Sequence, residues 1–548
     1  MSKHLDSAPS SNAAGGLGPA MQNAFLPLKR SAERAPDKAA IHYYGTTTTY
    51  SELLGQCVAL AGYLTSRCGI KPGDRVLLDM QNSPQFVIAY YAILRANAVV
   101  VPVNPMNREA ELRRVVENSG ARCAIAGIEV ADFFSGMVGK DLDHVITARY
   151  ADMLIDEIVE PLPPILKEER RDVPAGFIDM QVAIAADLVP DEISAGPDDI
   201  ALLCYTSGST GVPKACIHPH KNLTFIQGAA ASWYRLDETL VMGVSMPMFH
   251  ITGLQICIGT TIACGGAIVP LTRWDRNAIA SLFARYKATF WSTAPPMIND
   301  VVNSDNFTDG AFESLKILTG GGAPMPVELA RRLGEKYGVV YCEGYGLSET
   351  CSATHICPVD SPKLGSIGVP IYSTRALIVD PETLEELAGQ EIGELLISGP
   401  QVMRGYWNSP EATAETLIER DGAIFLRTGD LGYKDPDGYF FIVDRLKRVI
   451  NASGFKVWPA ECERVLQAHP AVRECCVVSA PDSYRGETVR AVIVLHTGFE
   501  TTTSDDIIAF ARSQMSAYKV PRIVDFVESL PTLSSGKVDW RKVQTAAA

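Results

Sequence analysis

The sequence lacks any block of basic residues. Its 49 lysines and arginines are scattered and are outnumbered by 63 aspartates and glutamates, which gives a formal net charge of −14 at pH 7. Because a chain of this charge repels a phosphate backbone, we expect no nucleic-acid partner. An anionic ligand would have to be bound by local features such as glycine-rich loops, helix N-termini, a metal ion or a few lysines and arginines.

The sequence also lacks the cysteine pairs of zinc and redox sites. Its 13 cysteines are dispersed and none stands in a C-x-x-C pair, so we expect buried, reduced thiols. The first 20 residues contain no apolar signal-peptide core; they are polar and rich in Gly, Ala and Ser, and we interpret them as a flexible tail. These features predict a cytoplasmic protein.

No segment has the composition of a membrane span. The nearest candidate, Leu254–Leu271, contains three glycines, two threonines and a glutamine. A spanning helix needs about 20 predominantly apolar residues. We therefore predict a buried helix followed by a strand here, and no transmembrane segment.

The length of the chain indicates more than one domain. Its 548 residues exceed the roughly 250–300 that a single hydrophobic core serves. From Thr49 onwards, segments with helical spacing alternate with apolar strand-like runs, which is typical of a parallel sheet covered by helices. We predict an α/β protein with a tail at 1–20, a large N-terminal domain of mixed and parallel sheets flanked by helices at 21–443, and a small α+β domain at 444–548.

A loop rich in Ser, Thr and Gly follows the apolar run IALLC. In YTSGSTGVPK, Tyr205–Lys214, backbone N–H groups and hydroxyls can close around phosphate oxygens, and Lys214 adds a positive charge. The spacing is not that of a P-loop. Since a flexible Ser/Gly linker would have a similar composition, the loop alone is only suggestive.

Six further segments accompany this loop in a definite order. They are PMFHITG (247–253), LTGGGAP (318–324), EGYGLSET (343–350), RTGD (427–430), DRLKRVINASGFKVWPAECE (444–463) and SSGKV (534–538). Together the seven motifs resemble the adenylate-forming superfamily of acyl-CoA synthetases, aryl-CoA ligases, firefly-type luciferases and peptide-synthetase adenylation domains. The resemblance extends roughly from Asn23 to Lys542, and the overall likeness is to the fatty-acid–CoA ligase branch.

This resemblance implies an acid–thiol ligase that uses ATP, CoA and Mg²⁺. The enzyme would join a carboxylic acid to AMP with release of pyrophosphate and then transfer the acyl group to the thiol of CoA. Glu349 would be the Mg²⁺ ligand and, with Thr206 and Lys537, a catalytic residue. The ATP-binding residues that the resemblance implies are Thr206, Ser207, Gly208, Ser209, Thr210, Gly211, Lys214, Gly321, Gly322, Ala323, Pro324, Glu343, Gly344, Tyr345, Gly346, Ser348, Asp430, Arg445 and Lys537.

Further roles follow from the same resemblance. Lys537 would bridge the acyl carboxylate and the α-phosphate, although a lysine near a C-terminus is by position alone usually a solvated surface charge. The small domain would rotate about a hinge at Asp444 and Lys447. The residues that would contact the acid or CoA are His250, Gly320, Ser453, Gly454 and Phe455, and for His250 we favour a gating or packing role over acid/base catalysis.

The resemblance leaves the acid and the thiol open. A medium- or long-chain fatty acid is our first interpretation, and an aryl acid of the cinnamate or benzoate type is the main alternative because Leu254 stands where some long-chain members carry a gating tryptophan. Loading of a carrier protein instead of CoA is a second alternative, and a catalytically silent nucleotide-binding relative is a third. Asn451 occupies a position where luciferase-like members have lysine, which disfavours that branch. The oligomeric state is open, with a homodimer as one option.

Overall fold

The structure, a computed structural model, describes residues 22–155, 161–206, 214–304, 309–321, 325–452, 455–482, 486–532 and 538–547. The chain forms two compact units. The larger contains the described residues up to Arg375 together with Ile397–Leu426, and the smaller contains Ala376–Leu396 together with the described residues from Arg427 onwards. The hinge at 444–447 and the domain limits at 20/21 and 443/444 remain predictions.

The α-helices in the described ranges are numbered in chain order. They are α1 (Leu26–Arg34), α2 (Tyr50–Ser66), α3 (Pro84–Arg95), α4 (Glu109–Ser119), α5 (Met180–Ala185), α6 (His220–Trp233), α7 (Thr260–Cys264), α8 (Arg276–Tyr286), α9 (Pro295–Val302), α10 (Val327–Tyr337), α11 (Pro410–Thr416), α12 (Pro459–Gln467), α13 (Ser504–Gln514) and α14 (Trp540–Ala547). A π-helix, Gly253–Gly259, precedes α7, and short 3₁₀ turns lie at Ser348–Thr350 and Leu446–Arg448.

The strands are numbered in the same way. They are β1 (Ala39–Tyr43), β2 (Thr46–Thr49), β3 (Arg75–Asp79), β4 (Val99–Pro102), β5 (Cys123–Gly127), β6 (His144–Ala148), β7 (Ile178–Asp179), β8 (Ile200–Thr206), β9 (Lys214–Pro219), β10 (Val241–Val244), β11 (Ala267–Pro270), β12 (Phe290–Ser292), β13 (Ile317–Gly320), β14 (Val340–Leu347), β15 (Ser352–Ile356), β16 (Val369–Pro370), β17 (Arg375–Val379), β18 (Gly393–Ser398), β19 (Leu417–Arg420), β20 (Ala423–Lys434), β21 (Phe440–Arg445), β22 (Ile450–Ala452), β23 (Phe455–Val457), β24 (Val472–Asp482), β25 (Gly486–Leu495) and β26 (Ile523–Phe526).

The larger unit contains two mixed, mainly parallel sheets. One has the strand order β16-β15-β14-β13-β12-β10-β11-β1-β2, and the other has the order β7-β6-β5-β3-β4-β8-β9. In the first sheet, the neighbouring strands β14, β13, β12, β10, β11 and β1 are all parallel to one another. In the second sheet, β8 pairs with β4 in parallel. This arrangement confirms the predicted α/β class and places the carboxyl ends of many strands at common edges, where ligands of open α/β sheets bind.

Helix α3 shows how the larger unit builds its core. The Ser83 side chain accepts a hydrogen bond from the Phe86 N–H at 3.1 Å, which caps the start of the helix. Every residue from Pro84 to Leu94 is buried. A helix that is apolar on all sides belongs in a protein interior, and α3 accordingly lies inside the large hydrophobic cluster of this unit.

The segment Leu254–Leu271 is a buried helix followed by a strand, as predicted. It consists of most of the π-helix, then α7 and β11, and nearly all of its side chains are buried. Within the described ranges, no helix is both long and apolar enough to cross a membrane.

The smaller unit contains a sheet of order β23-β22-β25-β24, with β26 beside β25. Helices α12 and α13 supply apolar side chains to its core, among them Leu466 and Ile507. All thirteen cysteines of the chain fall in described ranges, and every one is buried and free of disulfide bonds. The expectation of buried, reduced thiols is therefore confirmed.

A buried acid lies at the carboxyl end of β3. Asp79 is fully buried, and neither carboxyl oxygen has a hydrogen-bond partner among the residues that the structure describes. Burial and the negative charge of nearby Glu129 raise the pKa of Asp79 to about 8. The Tyr150 hydroxyl donates to Glu129 at 2.7 Å, and burial raises the pKa of Glu129 as well. Asp79 is therefore protonated in the native protein at neutral pH.

We expect Asp79→Asn to stabilise the protein increasingly as pH rises. Unfolded Asp79 ionises above its ordinary pKa near 3.8, whereas the native side chain stays neutral up to about pH 8, so native stability is lost across this window. The loss is about 1.4 kcal/mol per pH unit for one proton. The melting temperature of the variant, measured between pH 5 and 8, should exceed that of the wild type by a margin that grows with pH. The same substitution at Asp421, whose side chain is 68% exposed, is the control; a margin independent of pH would contradict the assignment.

Candidate active site

The predicted phosphate loop connects two adjacent strands of the larger unit. Strands β8 and β9 are antiparallel, and their register places Thr206 directly opposite Lys214. The hairpin thus holds one hydroxyl and one ammonium group at the two ends of the loop, and both residues are partly exposed. The loop residues that the sequence singled out lie outside the described ranges: Ser207, Gly208, Ser209, Thr210 and Gly211.

The predicted hydroxyl and carboxylate at Ser348 and Glu349 follow the end of β14. The 3₁₀ turn that carries them is held by Thr350, whose hydroxyl accepts the Leu347 N–H at 2.9 Å and lies 2.8 Å from the Ser352 carbonyl oxygen. Thr350 is fully buried, whereas Ser348 and Glu349 are half-buried. The turn therefore presents an alcohol and a carboxylate from a rigid base.

A buried histidine ties this turn to the hairpin. His218 of β9 lies 2.7 Å through Nε2 from the Ser348 carbonyl oxygen, and its Nδ1 lies 3.4 Å from the Asn222 amide nitrogen. Burial lowers the pKa of His218 to about 4, so the ring is neutral at pH 7. The neutral ring donates through Nε2 to Ser348 and accepts at Nδ1 from Asn222. This histidine is a structural link that sequence analysis did not identify.

Tyr406 links Lys214 to Glu349, and nothing in its sequence context indicated this role. Its hydroxyl donates to Glu349 Oε1 at 2.7 Å, and Lys214 Nζ lies 5.4 Å from the centre of its ring. The Met403 N–H also donates to the Glu349 carbonyl oxygen, at 2.8 Å. Burial, and secondarily the charge of Glu349, raises the pKa of Tyr406, which keeps its hydroxyl protonated. Thr206, Lys214, Ser348 and Glu349 thus belong to one bonded assembly.

The predicted adenine site lies where β13 and β14 end side by side. Gly320 pairs with Glu343 in the sheet. A Cβ atom on Gly321 would lie 2.5 Å from the Gly344 carbonyl oxygen, so only glycine permits this close approach of the two chains. Tyr345 packs edge-to-face with His355, with 6.0 Å between ring centres. Gly322, Ala323 and Pro324 lie outside the described ranges.

Two other groups complete this edge. A Cβ on Gly346 would lie 1.8 Å from the Ser352 carbonyl oxygen, which again requires glycine. Glu343 is 8% exposed, and within the described ranges its Oε2 atom has no hydrogen-bond partner. Burial raises the pKa of Glu343 to about 7, against the effect of a hydrogen bond from the Met325 N–H.

His250 lies at the surface of the larger unit, just before the π-helix. Its Nδ1 atom accepts the Thr252 N–H at 3.3 Å. The preceding loop is fixed by Asn82, whose amide donates to the Met246 carbonyl oxygen at 2.9 Å and accepts the Met248 N–H at 2.7 Å. Asn82 is a further contact that the sequence did not reveal, because its partners lie more than 160 residues away.

The remaining predicted residues belong to the smaller unit. Asp430 and Arg445 face each other across β20 and β21, and Arg445 Nε lies 2.9 Å from Asp430 Oδ1. Asp444 accepts the Ala460 N–H at the start of α12 at 2.6 Å, and Lys447 lies in the 3₁₀ turn that follows. Phe455 begins β23. Ser453, Gly454 and Lys537 lie outside the described ranges.

Comparison with known proteins covers both units. A sequence model described as AMP-binding enzyme matches residues 28–407, and one described as AMP-binding enzyme C-terminal domain matches residues 461–537. The long-chain-fatty-acid–CoA ligase of Bacillus subtilis (strain 168) is 34% identical over 534 residues, which are 94% of this chain and 93% of that protein. A feruloyl-CoA synthase of an Amycolatopsis species is also 34% identical, over 93% of this chain and 96% of its own.

Solved structures agree with these relatives. The crystal structure of ATP-bound MatB from Rhodopseudomonas palustris superposes with a TM-score of 0.84 at 28% identity, covering 96% of this chain and 98% of MatB. The crystal structure of an anthranilate CoA ligase in complex with anthranoyl-AMP gives a TM-score of 0.81 at 23% identity, a similarity that supports the fold only. Full-length agreement in sequence, together with the assembly of the predicted loop ends and turn in one place, leads to one conclusion: the chain belongs to the family of adenylate-forming, AMP-binding enzymes.

Proposed function

We propose that this protein is an ATP-dependent carboxylic acid:CoA ligase. A carboxylate oxygen of the acid attacks the α-phosphorus of ATP, and pyrophosphate leaves. The CoA sulfur then attacks the acyl carbon, AMP leaves, and the thiol proton passes to solvent. The observation that carries the proposal is the bonded assembly of Thr206, Lys214, Ser348 and Glu349 through His218 and Tyr406.

That assembly suits the first reaction because both of its substrates are anions. Lys214 would supply positive charge, and the hydroxyls of Thr206 and Ser348 would supply hydrogen-bond donors. In a chain of net charge −14, such local groups must supply the attraction for ATP. The glycine edge formed by Gly321 and Gly344 would admit the flat adenine base.

The residues present also fit a magnesium ion. Glu349 offers a partly exposed hard oxygen ligand that is already oriented by Tyr406. In the part of the chain that the structure describes, no cluster of three or more His, Cys, Asp or Glu could hold a metal ion. We infer that Glu349 would hold the ion together with oxygen ligands from ATP and water. Bound there, Mg²⁺ would neutralise phosphate charge.

The smaller unit would complete both reactions. We assign Asp430 and Arg445 to the ribose hydroxyls, and Lys537 to the acyl carboxylate and α-phosphate during adenylation. Rotation about Asp444–Lys447 would then withdraw Lys537 and bring the loop Ser453–Phe455 to the pantetheine arm. Cytoplasmic location is part of the same proposal.

We propose a medium- or long-chain fatty acid as the substrate. The family resemblance assigns the segments 250–256 and 291–296 to the acid pocket, and in them Ile251, Leu254, Ile256 and Trp291 are apolar and buried. The long-chain-fatty-acid–CoA ligase and the feruloyl-CoA synthase each share 34% sequence identity with this chain, so an aryl acid is the second candidate. Transfer to a carrier protein is a third.

A pyrophosphate-release screen tests these assignments. Purified protein with ATP and Mg²⁺ is given acids of graded chain length and aromaticity, with and without CoA. We expect fatty acids to give the highest kcat/KM and CoA to convert the adenylate into thioester. Preference for cinnamates or benzoates would establish the second candidate, and absence of pyrophosphate release with every acid would refute the ligase proposal.

We expect Lys537→Ala to separate the two reactions. Loss of the bridging ammonium group should slow adenylate formation roughly 100-fold or more, because its charge acts only while carboxylate and α-phosphate combine. Thioester formation from supplied acyl-AMP should continue near the wild-type rate. Lys542→Ala, at a lysine that is 70% exposed, is the matched control. Equal losses in both reactions would contradict the assignment.

We expect Tyr406→Phe to weaken Mg²⁺ binding. The variant retains the ring beneath Lys214 and loses only the hydroxyl that orients Glu349. Removal of such a supporting hydrogen bond typically costs about 10–100-fold in metal affinity. Calorimetric titration of Mg²⁺ into the enzyme–ATP complex measures the change, with Tyr518→Phe, at a tyrosine that is 37% exposed, as control. Unchanged Mg²⁺ affinity would show that Tyr406 does not act through Glu349.

A further inference from the structure

A buried carboxylate lies beside the part of β20 that carries Asp430. Glu394 of β18 is 1% exposed and accepts three hydrogen bonds. Its Oε2 atom accepts from Arg427 Nε at 3.0 Å and from Arg427 Nη2 at 2.6 Å, and its Oε1 atom accepts the Gly429 N–H at 3.2 Å. Both oxygens are therefore used within the segment Arg427–Asp430, in which the resemblance singled out only Asp430.

The other bonds of this segment restrict it further. The Thr428 hydroxyl donates to the Leu395 carbonyl oxygen at 2.7 Å and accepts the Asp430 N–H at 3.1 Å. Gly429 has a φ of +68°, a left-handed conformation that favours glycine. The part of β20 just before Asp430 is thus fixed to β18 by one carboxylate and one hydroxyl, and its backbone has little freedom to redirect Asp430.

The cost of burial indicates that Glu394 serves more than strand pairing. Transfer of a carboxylate out of water is expensive, and a buried ion pair is on average no more stabilising than apolar residues of similar volume. Backbone bonds already join the strands of a sheet. An apolar residue could not accept hydrogen bonds from the guanidinium of Arg427 and the N–H of Gly429 at the same time, whereas Glu394 does.

Asp430 is the residue that this arrangement controls. It is 2% exposed and pairs with Arg445, whose side chain is 55% exposed. Two ribose hydroxyls can be recognised only if the acceptor and the donor keep a defined spacing. A small rotation of the segment Arg427–Asp430 would move the Asp430 carboxylate and disturb its pairing with Arg445 at the same time.

We propose that Glu394 is a positioning residue for nucleotide recognition: through Arg427 and Gly429 it sets the orientation in which Asp430 and Arg445 meet the two ribose hydroxyls of ATP. This inference rests on the proposed ribose role of Asp430. It predicts an effect confined to nucleotides that carry those hydroxyls.

The experiment compares ATP with 2′,3′-dideoxy-ATP in the full-length enzyme. Binding constants and KM values are measured for the wild type, Glu394→Gln and Asp430→Asn, with Glu419→Gln on the exposed face of β19 as the control. We expect Glu394→Gln to weaken ATP binding roughly tenfold, as for loss of a hydrogen bond to a charged group. Binding of the dideoxy nucleotide should change less than twofold, and kcat at saturating ATP should change little.

A second variant protects the test against misfolding. Thr428→Val keeps the shape of the side chain and removes only the two hydroxyl bonds, so it should give the same selective loss without disturbing a buried charge. Equal losses for both nucleotides in both variants, or no loss in either, would overturn the inference. The ligase proposal fails separately, by absence of pyrophosphate release from the wild type, and the ribose assignment fails separately if Asp430→Asn does not reduce discrimination.

Discussion

The hydrogen bond from Tyr406 to Glu349 is the contact on which the arrangement of the larger unit's site depends. It joins the turn after β14 to the segment that runs beside β9, and the same ring lies beneath Lys214. Together with the bond from His218 of β9 to the Ser348 carbonyl oxygen, it keeps the ammonium group of Lys214 and the carboxylate of Glu349 at a fixed spacing. In the proposed reaction both groups would act on the same triphosphate, so this spacing would have to be set by the protein before ATP binds.

The fold class and the local motifs could be predicted from the sequence because both depend on patterns of residues that are close together in the chain. The strand–loop–strand around Tyr205–Lys214 and the glycines near Gly321 were identifiable from residue types that only a tight loop or a close backbone approach needs. The contacts that assemble these motifs were not identifiable. Tyr406 and Glu349 are 57 residues apart, and His218 and Ser348 are 130 apart. Tyr406, in the segment MRGYW, and His218, in a buried strand, are residue types that are common in hydrophobic cores, so only their partners reveal their roles.

The domain boundary predicted from the sequence differs from the division into compact units. The sequence predicted a second domain that begins at Asp444, at the turn that the family resemblance marks as a hinge. The compact units divide the chain earlier, since Asp430 pairs with Arg445 and Arg427 pairs with Glu394 within the smaller unit. A hinge is a site of motion and a compact unit is a set of contacts, and the two need not coincide. The hinge accordingly remains a proposal.

Three buried acids show how the same chemical group acquires different roles. Asp79 has no hydrogen-bond partner in the described part of the chain, and burial keeps it protonated, so it contributes a neutral group to the core. Glu343 accepts the Met325 N–H, and burial raises the pKa of Glu343 to about 7 at the edge of the predicted adenine site. Glu394 receives a guanidinium and an N–H, and no oxygen is left over. The number of donors supplied to each carboxylate therefore decides its function. An acidic protein that binds a polyanion can retain buried carboxylates near its ligand only where such donors satisfy them or where the proton stays on.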